Sequence, residues 1–430
     1  MSLNRKKTSL KESATVLRAR VVLPVSRPPI EDGAVSLLGN RIVSVGRWQD
    51  LSPGNRAAVV DLGEMILLPG LVNAHCHLDY TDMAGQLPPP GNFVEWLNLI
   101  TASKTGWLYS EFAASWLNGA KMLLRTGTTT VGDIEMVPEL LPDLWTATPL
   151  RVLSFLELTG VKSRRPPEEI IGEALGKIVS LPSGRCRLGL SPHAPYSTTP
   201  ALLQLAAETA RRHELRLVTH VAESAEEFEM FIHGEGKMFT WLARAGRDMS
   251  DCGLGSPVQH LETQGLLGKN LLAVHMNYLA PGDAVLLAKC KVNVVHCPRS
   301  HDYFKHRKFP LAELANAGVN ICLGTDSLAS LHKPRKQISE LNLFDEMREL
   351  ATVHTTLKPE TIVEMATLNG ALALGMKRET GELAPGTFAD LVAIPHTGKL
   401  ADACAAVVHH RGNVSASMID GQWAIAPSAQ

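Results

Sequence analysis

The chain has 430 residues, of which 45% are hydrophobic and 20% are charged, so it is long enough for one large domain and a smaller unit. Its formal net charge of −1 provides no overall field for binding nucleic acid or an anionic membrane surface. It has no apolar run of about 18 residues, and no apolar segment follows Arg5, Lys6 and Lys7, so we expect neither a transmembrane helix nor a signal peptide.

Short β-branched segments separated by Gly, Pro and Asn fill the first 67 residues, for example VLRARVVLPV and RIVSVGRW. The C-terminal residues have the same character, for example ADLVAIP and SMIDGQWAI. We therefore predict that residues 1–67 and 379–430 form one small β-domain from both ends of the chain.

The intervening residues 68–378 alternate between strand-like and helix-like patterns. Alternation of this kind predicts a parallel sheet with right-handed crossovers, and eight repeats fit a closed (β/α)₈ barrel. A doubly wound open sheet is the alternative, but GLGS at 253–256 does not follow an early strand as a phosphate-binding turn should. The strand-like runs are residues 70–77, 128–134, 151–158, 186–194, 215–221, 270–276, 291–297 and 320–326.

Metal-binding side chains end three of these runs: His75 and His77 the first, His220 the fifth and Asp326 the eighth. Barrel enzymes keep their chemistry at the C-terminal ends of strands, and a spacing of two places both imidazoles of the first pair on one face. Three imidazoles and one carboxylate suit Zn²⁺, with Fe²⁺ as the alternative, and leave a position for water. We predict one divalent metal ion here, which would lower the pKa of bound water to about 7.

Two further residues are candidates for catalysis. Glu223 lies three residues beyond His220, where a carboxylate can carry a proton between water and substrate. The alternative is the solvated start of a helix, since Ser224 and Glu226 follow. His275 ends the sixth run and is open to three roles: a fourth nitrogen ligand, a base, or an electrophile. We favour the roles without metal binding, because the first four ligands already leave one open position.

The seven cysteines are scattered, and Cys290, Cys297 and Cys322 lie in strand-like runs. This distribution is typical of reduced thiols in the cytoplasm and not of a disulfide framework. On a strand, Cys76 points away from His75 and His77, so we interpret it as a packing residue.

These residues lie in motifs that resemble the amidohydrolase superfamily: LLPGLVNAHCHLD, the HVAE after the fifth strand, and CLGTDSLAS. MATLNGALALG and GELAPGTFADLVAI near the C-terminus resemble the return of that family into its small β-domain. The resemblance covers nearly the whole chain. It implies a distorted (β/α)₈ TIM barrel with a β-sandwich built from both termini.

Within the superfamily, the pattern is similar to the mononuclear aminohydrolase branch of cytosine, guanine and adenosyl-type deaminases and triazine hydrolases. Binuclear members carry a lysine on the fourth strand, where this chain has RLGLSPHAPYS and offers His193. The resemblance implies that His193 contacts substrate, that Glu223 transfers the proton, and that His275 assists. It assigns the metal to His75, His77, His220 and Asp326, and Asp326 can also accept the proton of the water.

The motif after the seventh strand departs from that branch, because HCPRSHDYF replaces HCPxSN. His301 takes the place of the asparagine, and Arg299 is added. The motif also resembles deaminases of aminodeoxyfutalosine, whose substrate joins an adenine to a benzoate. Arg299 is thus a candidate clamp for a carboxylate, with His301 as a further substrate contact. The alternative for Arg299 is a solvated basic loop.

Three more residues are candidates for substrate contacts. Phe93 and Trp96 follow a proline-rich segment and are three residues apart, which suits an apolar lid over a ring or the packing of a short helix on the rim. Glu157 ends the third run and is a candidate contact for a ribose or a ring nitrogen.

We predict a metal-dependent hydrolytic deaminase that releases ammonia from an aromatic amine, above all an adenine nucleoside derivative. A chlorohydrolase or cyclic-amide hydrolase with the same metal core is the first alternative, and a non-catalytic barrel that binds a ligand is the second. The expected partner is a small molecule and not a membrane or nucleic acid, since the PCxxC motif of editing deaminases does not occur. Assembly into a homo-oligomer stays open.

Overall fold

The computed structural model describes residues 14–51, 57–88, 90–161, 163, 165–181, 184–331 and 339–428. The basic residues Arg5, Lys6 and Lys7, on which the expectation about a signal peptide depends, lie outside these ranges. No helix in the described ranges is both long enough and apolar enough to cross a bilayer.

The strands of the described residues fall into an early group, a central group of eight, and a late group. They are β1 (Thr15–Val22), β2 (Ile30–Leu38), β3 (Arg41–Arg47), β4 (Ala58–Asp61), β5 (Met65–Pro69), β6 (Leu71–Cys76), β7 (Thr128–Glu135), β8 (Arg151–Leu158), β9 (Arg187–Pro192), β10 (Leu217–Val221), β11 (Leu271–His275), β12 (Asn293–His296), β13 (Asn320–Leu323), β14 (Leu391–Pro395), β15 (Ala416–Ile419) and β16 (Gln422–Ile425).

The α-helices lie mainly between the central strands. They are α1 (Phe93–Lys104), α2 (Tyr109–Arg125), α3 (Leu141–Thr146), α4 (Pro167–Ser180), α5 (Pro200–Arg212), α6 (Ala225–His233), α7 (Gly236–Arg244), α8 (Pro257–Thr263), α9 (Asp283–Lys289), α10 (Pro298–Tyr303), α11 (Leu311–Ala317), α12 (Leu343–Val353), α13 (Pro359–Met365), α14 (Leu368–Ala373) and α15 (Ala403–Val408).

The eight central strands confirm the eight runs predicted from the sequence, each within a few residues. Strands β6 to β13 pair in sequential order as one parallel sheet. The sheet curls round until β13 meets β6, where Cys76 and Asp326 form a β-bridge. The TIM barrel is therefore confirmed, and the alternative of an open, doubly wound sheet is wrong.

The seam between β6 and β13 depends on a close approach of the two chains. The backbone N–H groups of Thr325 and Asp326 both donate to the carbonyl of His75, at 3.0 and 3.2 Å. A Cβ at Gly324 would lie only 2.8 Å from that carbonyl oxygen. Glycine is required here because any side chain would push the two strands apart.

A second, mixed sheet is built from both ends of the chain, as the sequence predicts. Its order is β16-β15-β14-β5-β1-β2-β3, with β4 paired to β1. A buried ion pair joins this sheet to the barrel, since Arg151 Nε on β8 donates to Asp390 at 2.9 Å. The domain boundaries at residues 67 and 378 stay predictions.

Apolar side chains fill the barrel interior and close its N-terminal end. Val72, Phe155 and Val274 belong to one buried cluster with Leu374 and Met376, which follow α14. The C-terminal ends of the strands are left for polar side chains, which is where TIM barrels carry their sites.

All seven cysteines have free thiols. Cys76 packs in the hydrophobic core outside the metal-ligand set, which confirms its interpretation as a packing residue.

Candidate active site

Four predicted metal-binding side chains converge at the C-terminal end of the barrel. Asp326 Oδ1 lies 3.6 Å from His75 Nε2 and 3.7 Å from His77 Nε2. The Nε2 atoms of His77 and His220 are 3.3 Å apart. Ligand atoms placed about 2.1 Å from one tetrahedral ion lie about 3.4 Å from each other. These three distances suit ligands of one metal ion. The candidate ligands form two overlapping groups in which the ligand atoms lie within 4.8 Å of one another: His75, His77 and His220, and His75, His275 and Asp326.

The unpaired nitrogens of these imidazoles test the fit independently. His75 is fully buried, yet neither of its ring nitrogens has a hydrogen-bond partner among the described residues, and the same holds for Nδ1 of His77. An unsatisfied buried polar group costs about 1–3 kcal/mol. A divalent cation bound to Nε2 of His75 would supply the interaction that this nitrogen lacks, so the residues present fit such an ion.

Neighbouring groups fix the orientation of two of the candidate metal ligands. His220 Nδ1 lies 2.9 Å from the carbonyl oxygen of His193, so Nδ1 carries the proton and Nε2 keeps its lone pair for a metal. Asp326 Oδ2 accepts hydrogen bonds from Ser300 at 2.6 Å and Ser330 at 3.1 Å. These bonds leave Oδ1 of Asp326 facing the histidines.

Asn73 joins the two chain segments that carry candidate metal ligands on either side of the seam. Its Nδ2 donates to Thr325 Oγ1 at 2.8 Å, and its Oδ1 accepts from the backbone N–H of Thr325 at 3.1 Å. Sequence reasoning missed this residue. The available signal was an amide two positions before His75 in an otherwise apolar strand.

The protonation states suit metal binding. Burial lowers the pKa of His77 well below its usual range, and the nearby His75 adds to this effect. Burial, followed by His193 and His75, lowers the pKa of His220 to about 3. Burial alone would raise the pKa of Asp326, but the adjacent imidazoles hold it well below its usual range. At neutral pH His77 and His220 are therefore neutral and Asp326 is ionised, as a metal requires.

The backbone adopts a left-handed conformation at several strand ends in this site. The φ angles are 50° at Ala222, 79° at His275, 49° at Met276 and 52° at Asp326. Non-glycine residues in such conformations cost of order 1–3 kcal/mol each, and they cluster at active sites. At His275 and Asp326 this turn directs the side chain of a strand-end residue into the cavity.

Glu223 and His275 face each other beside the candidate metal ligands, with 3.5 Å between Glu223 Oε1 and His275 Nε2. Glu223 is buried, so it is not part of a solvated helix start. Its backbone N–H donates to Glu227 at 2.8 Å, and its carbonyl accepts from Asn277 at 2.9 Å. Burial, with added repulsion from Asp326 and Glu227, raises the pKa of Glu223 and makes it a better proton acceptor.

One cavity, partly open to solvent, is lined by three of the candidate metal ligands, His77, His220 and Asp326, and by Glu223 and His275. Three of the candidate substrate contacts also line it: Trp96, Glu157 and His193. Sequence reasoning missed five of its residues, because they lie on helices and loops with no strand-end pattern to mark them. The lining residues are His77, Tyr80, Trp96, Leu97, Lys104, Glu157, His193, Tyr196, His220, Glu223, His275, Asp326 and Ser327.

Phe93 and His301 lie behind the cavity. The Phe93 ring stacks on Trp96 with centroids 5.8 Å apart and contacts Phe304 at 5.3 Å, so it packs helix α1 against Phe304 at the end of α10. His301 Nδ1 lies 3.0 Å from Asn277 Oδ1. Because Asn277 binds the carbonyl of Glu223, this histidine supports the Glu223 loop from behind.

The prediction that Arg299 clamps a substrate carboxylate is not supported by its surroundings. Its Nε donates to Glu346 Oε1 at 2.6 Å, and its backbone N–H donates to Glu346 Oε2 at 2.9 Å. A third donor reaches the carbonyl of Glu340 at 2.9 Å. The guanidinium is thus turned towards α12 and does not line the cavity. The alternative of a solvated loop fails too, because the Arg299 side chain is only 16% exposed.

Replacing Arg299 with Ala is therefore expected to affect stability and not substrate selection. Removing one partner of a buried ion pair costs about 3–5 kcal/mol, and Glu346 would be left with an uncompensated buried charge. Denaturant unfolding measures this loss, and the KM values for neutral and acidic substrates should change together. Unchanged stability with a KM increase confined to acidic substrates would restore the clamp.

The chain is similar in sequence to a known protein family and to deaminases. A sequence profile described as the amidohydrolase family matches residues 66–424. The chain is 33% identical over 387 residues to a 5-methylthioadenosine/S-adenosylhomocysteine deaminase of Syntrophobacter fumaroxidans, covering 85% of this chain and 80% of that protein. It is 30% identical over 381 residues to a 5'-deoxyadenosine deaminase of Methanothermobacter thermautotrophicus, covering 84% and 81%.

A solved structure shows the same architecture. An adenosine deaminase from Xanthomonas campestris with bound zinc superimposes with a TM-score of 0.81 at 25% identity, covering 96% of this chain and 93% of that one. The barrel with its accompanying β-sheet is thus a known arrangement that accommodates a metal ion.

Proposed function

The chain belongs to the amidohydrolase family, and from this premise we propose that it is a metal-dependent hydrolase that releases ammonia from adenine nucleosides. The single observation that carries the proposal is the buried carboxylate of Glu223, which shares one cavity with three of the four candidate metal ligands, His77, His220 and Asp326. The similarity to deaminases of adenosine derivatives supports the choice of substrate.

We propose Zn²⁺ as the metal, held by His75, His77, His220 and Asp326, with Fe²⁺ as the alternative. Three imidazoles and one carboxylate suit zinc, and the adenosine deaminase from Xanthomonas campestris was solved with zinc bound. When bound, the ion would supply Lewis-acid chemistry, lowering the pKa of water so that it becomes a nucleophile at neutral pH.

Glu223 is the proton carrier in this mechanism. Its carboxylate accepts a proton from the water that adds to the ring carbon bearing the amine, and it passes that proton to the adjacent ring nitrogen. The new carbon–oxygen bond creates a tetrahedral carbon, from which the amine leaves as ammonia after it accepts the second proton of the water. Asp326 is placed to accept that second proton first.

His275 and His193 form hydrogen bonds to other atoms of the substrate: the added oxygen and a ring nitrogen. Burial lowers the pKa of His275, so it is neutral and available for a hydrogen bond to the oxygen that adds to the ring. Its Nε2 lies 3.5 Å from the Glu223 carboxylate, close to the reacting atoms. His193 Nδ1 is bonded to Ser197 Oγ at 2.7 Å, which leaves Nε2 for a substrate nitrogen. Trp96 provides an apolar face for the base.

Ammonia release across a substrate panel tests the proposal. The metal-loaded protein is incubated with adenosine, 5'-deoxyadenosine, methylthioadenosine, S-adenosylhomocysteine and aminodeoxyfutalosine, and with cytosine, guanine and atrazine for comparison. We expect ammonia from one or more adenine nucleosides. Chloride release from atrazine without ammonia from any nucleoside would favour the chlorohydrolase alternative, and no turnover of any compound would favour a binding protein.

We also propose that the protein works in the cytoplasm, since all seven of its cysteines are free thiols.

A further inference from the structure

The side-chain amide of Asn277 connects an imidazole outside the cavity to the main chain of Glu223. Its Nδ2 donates to the carbonyl oxygen of Glu223 at 2.9 Å, and its Oδ1 lies 3.0 Å from Nδ1 of His301 on α10. Asn277 is only 1% exposed, so water does not compete for these bonds. His301 and Glu223 are therefore joined through one buried side chain.

Further hydrogen bonds hold the loop on either side of Glu223. The backbone N–H of Asn277 donates to the carbonyl of Ala222 at 2.9 Å, where the chain turns with a φ of 50°. The N–H of Glu223 donates to Glu227 Oε2 at 2.8 Å. The N–H and the carbonyl of Glu223 are thus both fixed, by Glu227 and by Asn277, and this sets the direction in which the catalytic side chain leaves the backbone.

The direction of each hydrogen bond follows from the groups present. The Glu223 carbonyl only accepts, so the amide nitrogen of Asn277 faces it and the amide oxygen faces His301. That oxygen needs a donor. Burial lowers the pKa of His301 to about 4, so the imidazole is neutral at pH 7 and meets this need with its proton on Nδ1.

Three neighbouring rings hold the His301 imidazole in this orientation. The ring centroids of His296, His306 and Phe309 lie 5.4, 5.5 and 6.4 Å from that of His301. His301 does not line the catalytic cavity. Any contribution that it makes to the reaction therefore passes through Asn277.

We infer that His301, acting through Asn277, is a positioning residue for Glu223, and that this position requires a side-chain N–H donor attached to Cγ. The inference rests on the proposed function and deepens it, because it names what orients the proton carrier. Without the donor, the Asn277 amide can turn over and present its oxygen to the Glu223 carbonyl, and the bond that holds the loop is lost. A displaced proton carrier lowers kcat and leaves substrate binding intact.

Asparagine can supply the same donor as histidine. Nδ2 of asparagine and Nδ1 of histidine are both attached to Cγ, so they lie the same number of bonds from the backbone. Leucine has the branched shape of asparagine but no donor. The replacement of asparagine by His301 in HCPRSHDYF therefore keeps an N–H at this place.

The test measures kcat, KM and bound metal in variants of the metal-loaded protein, with the adenine nucleoside that the wild type turns over fastest. His301→Leu removes the donor, His301→Asn keeps one, and His213→Leu makes the apolar change at an exposed histidine after α5. A misplacement of about 1 Å can cost about 100-fold. We expect kcat to fall about 10- to 100-fold in His301→Leu, with KM and metal content unchanged, while His301→Asn keeps most of the activity and His213→Leu keeps all of it.

A second comparison asks whether the effect passes through Glu223. In the Glu223→Gln background no carboxylate remains to be positioned, so adding His301→Leu should cause little further loss. A further loss as large as in the wild-type background would overturn the inference. Circular dichroism shows whether each variant is folded, and His301→Asp, which only accepts when ionised, replaces His301→Leu if that variant does not fold.

The other outcomes separate this inference from the proposed function. Unchanged kcat in His301→Leu would overturn the inference, as would a loss in His301→Asn as large as in His301→Leu, because the imidazole ring and not its donor would then matter. A change confined to KM would make His301 a substrate contact instead. In each of these cases the wild type still releases ammonia and the proposed function stands, whereas no ammonia from any nucleoside with the wild type would overturn both.

Discussion

Replacing Glu223 with Gln is expected to lower kcat by at least about 10³-fold. The amide has nearly the same shape but cannot accept a proton, and loss of a general acid–base group costs about 10²–10⁴-fold, towards the upper end when the group serves in both directions. Glu223 is not one of the four proposed metal ligands, so bound metal per chain should not change. Steady-state ammonia release and elemental analysis of the same preparation measure the two quantities.

A matched control is available on the following helix. Glu229 lies on α6 and is exposed, so Glu229→Gln makes the same chemical change away from the cavity and should retain full activity. Normal turnover in Glu223→Gln would remove Glu223 from the mechanism. Loss of metal in that variant would instead identify Glu223 as a ligand.

Replacing Asp326 with Ala is expected to abolish measurable turnover together with tight metal binding. Asp326 contributes the only carboxylate of the proposed set, and its Oδ1 lies within 3.7 Å of the Nε2 atoms of His75 and His77. Loss of an outer-sphere partner such as Ser300 typically costs about 10–100-fold in metal affinity, so loss of the ligand itself should cost more. Metal titration with a chelating competitor measures the affinity.

The Ser300→Ala variant keeps this prediction testable if Asp326→Ala fails to fold. Ser300 Oγ donates to Asp326 Oδ2 at 2.6 Å, so its removal should weaken metal binding without removing a ligand. Retention of one tightly bound metal ion per chain in Asp326→Ala would contradict the proposed ligand set. Circular dichroism of both variants shows whether the barrel is intact.

The barrel and the convergence of the candidate metal ligands could be predicted from the sequence because both depend on local signals. Strands buried on both faces are short apolar runs, and a polar residue such as His220 or Asp326 at the end of a run is conspicuous. The C-terminal ends of all barrel strands lie on one side of the barrel, so the side chains at these ends converge regardless of the conformation of the loops. The position of Glu223 follows directly from that of His220.

Residues outside the strands could not be placed in the same way. Tyr80 and Lys104 reach the cavity from a short 3-10 helix (Leu78–Met83) and from the end of α1, and their positions depend on how those segments fold back over the barrel. For Arg299 the error is the reverse, because the sequence suggested a substrate contact and the residue does not line the cavity. Its motif suggested a substrate clamp, but its partner Glu346 is remote in sequence and is brought to it by the packing of α10 on α12.

The order of the second sheet was also beyond local patterns. Its β-branched segments were recognised, but β5 lies between β1 and β14, so the pairing joins the two ends of the chain. Such long-range pairings are specified by tertiary packing and not by the segments themselves.

For the proposed metal site, the seam between β6 and β13 means that all four ligands come together only late in folding. His75 and His77 are made early in synthesis, but Asp326 joins them only when the last barrel strand docks against the first. A nascent or truncated chain that ends before β13 therefore cannot assemble the full coordination sphere. An ion that binds only the native state stabilises it by mass action. The bound metal would therefore stabilise the closed barrel and oppose dissociation of β13 from β6.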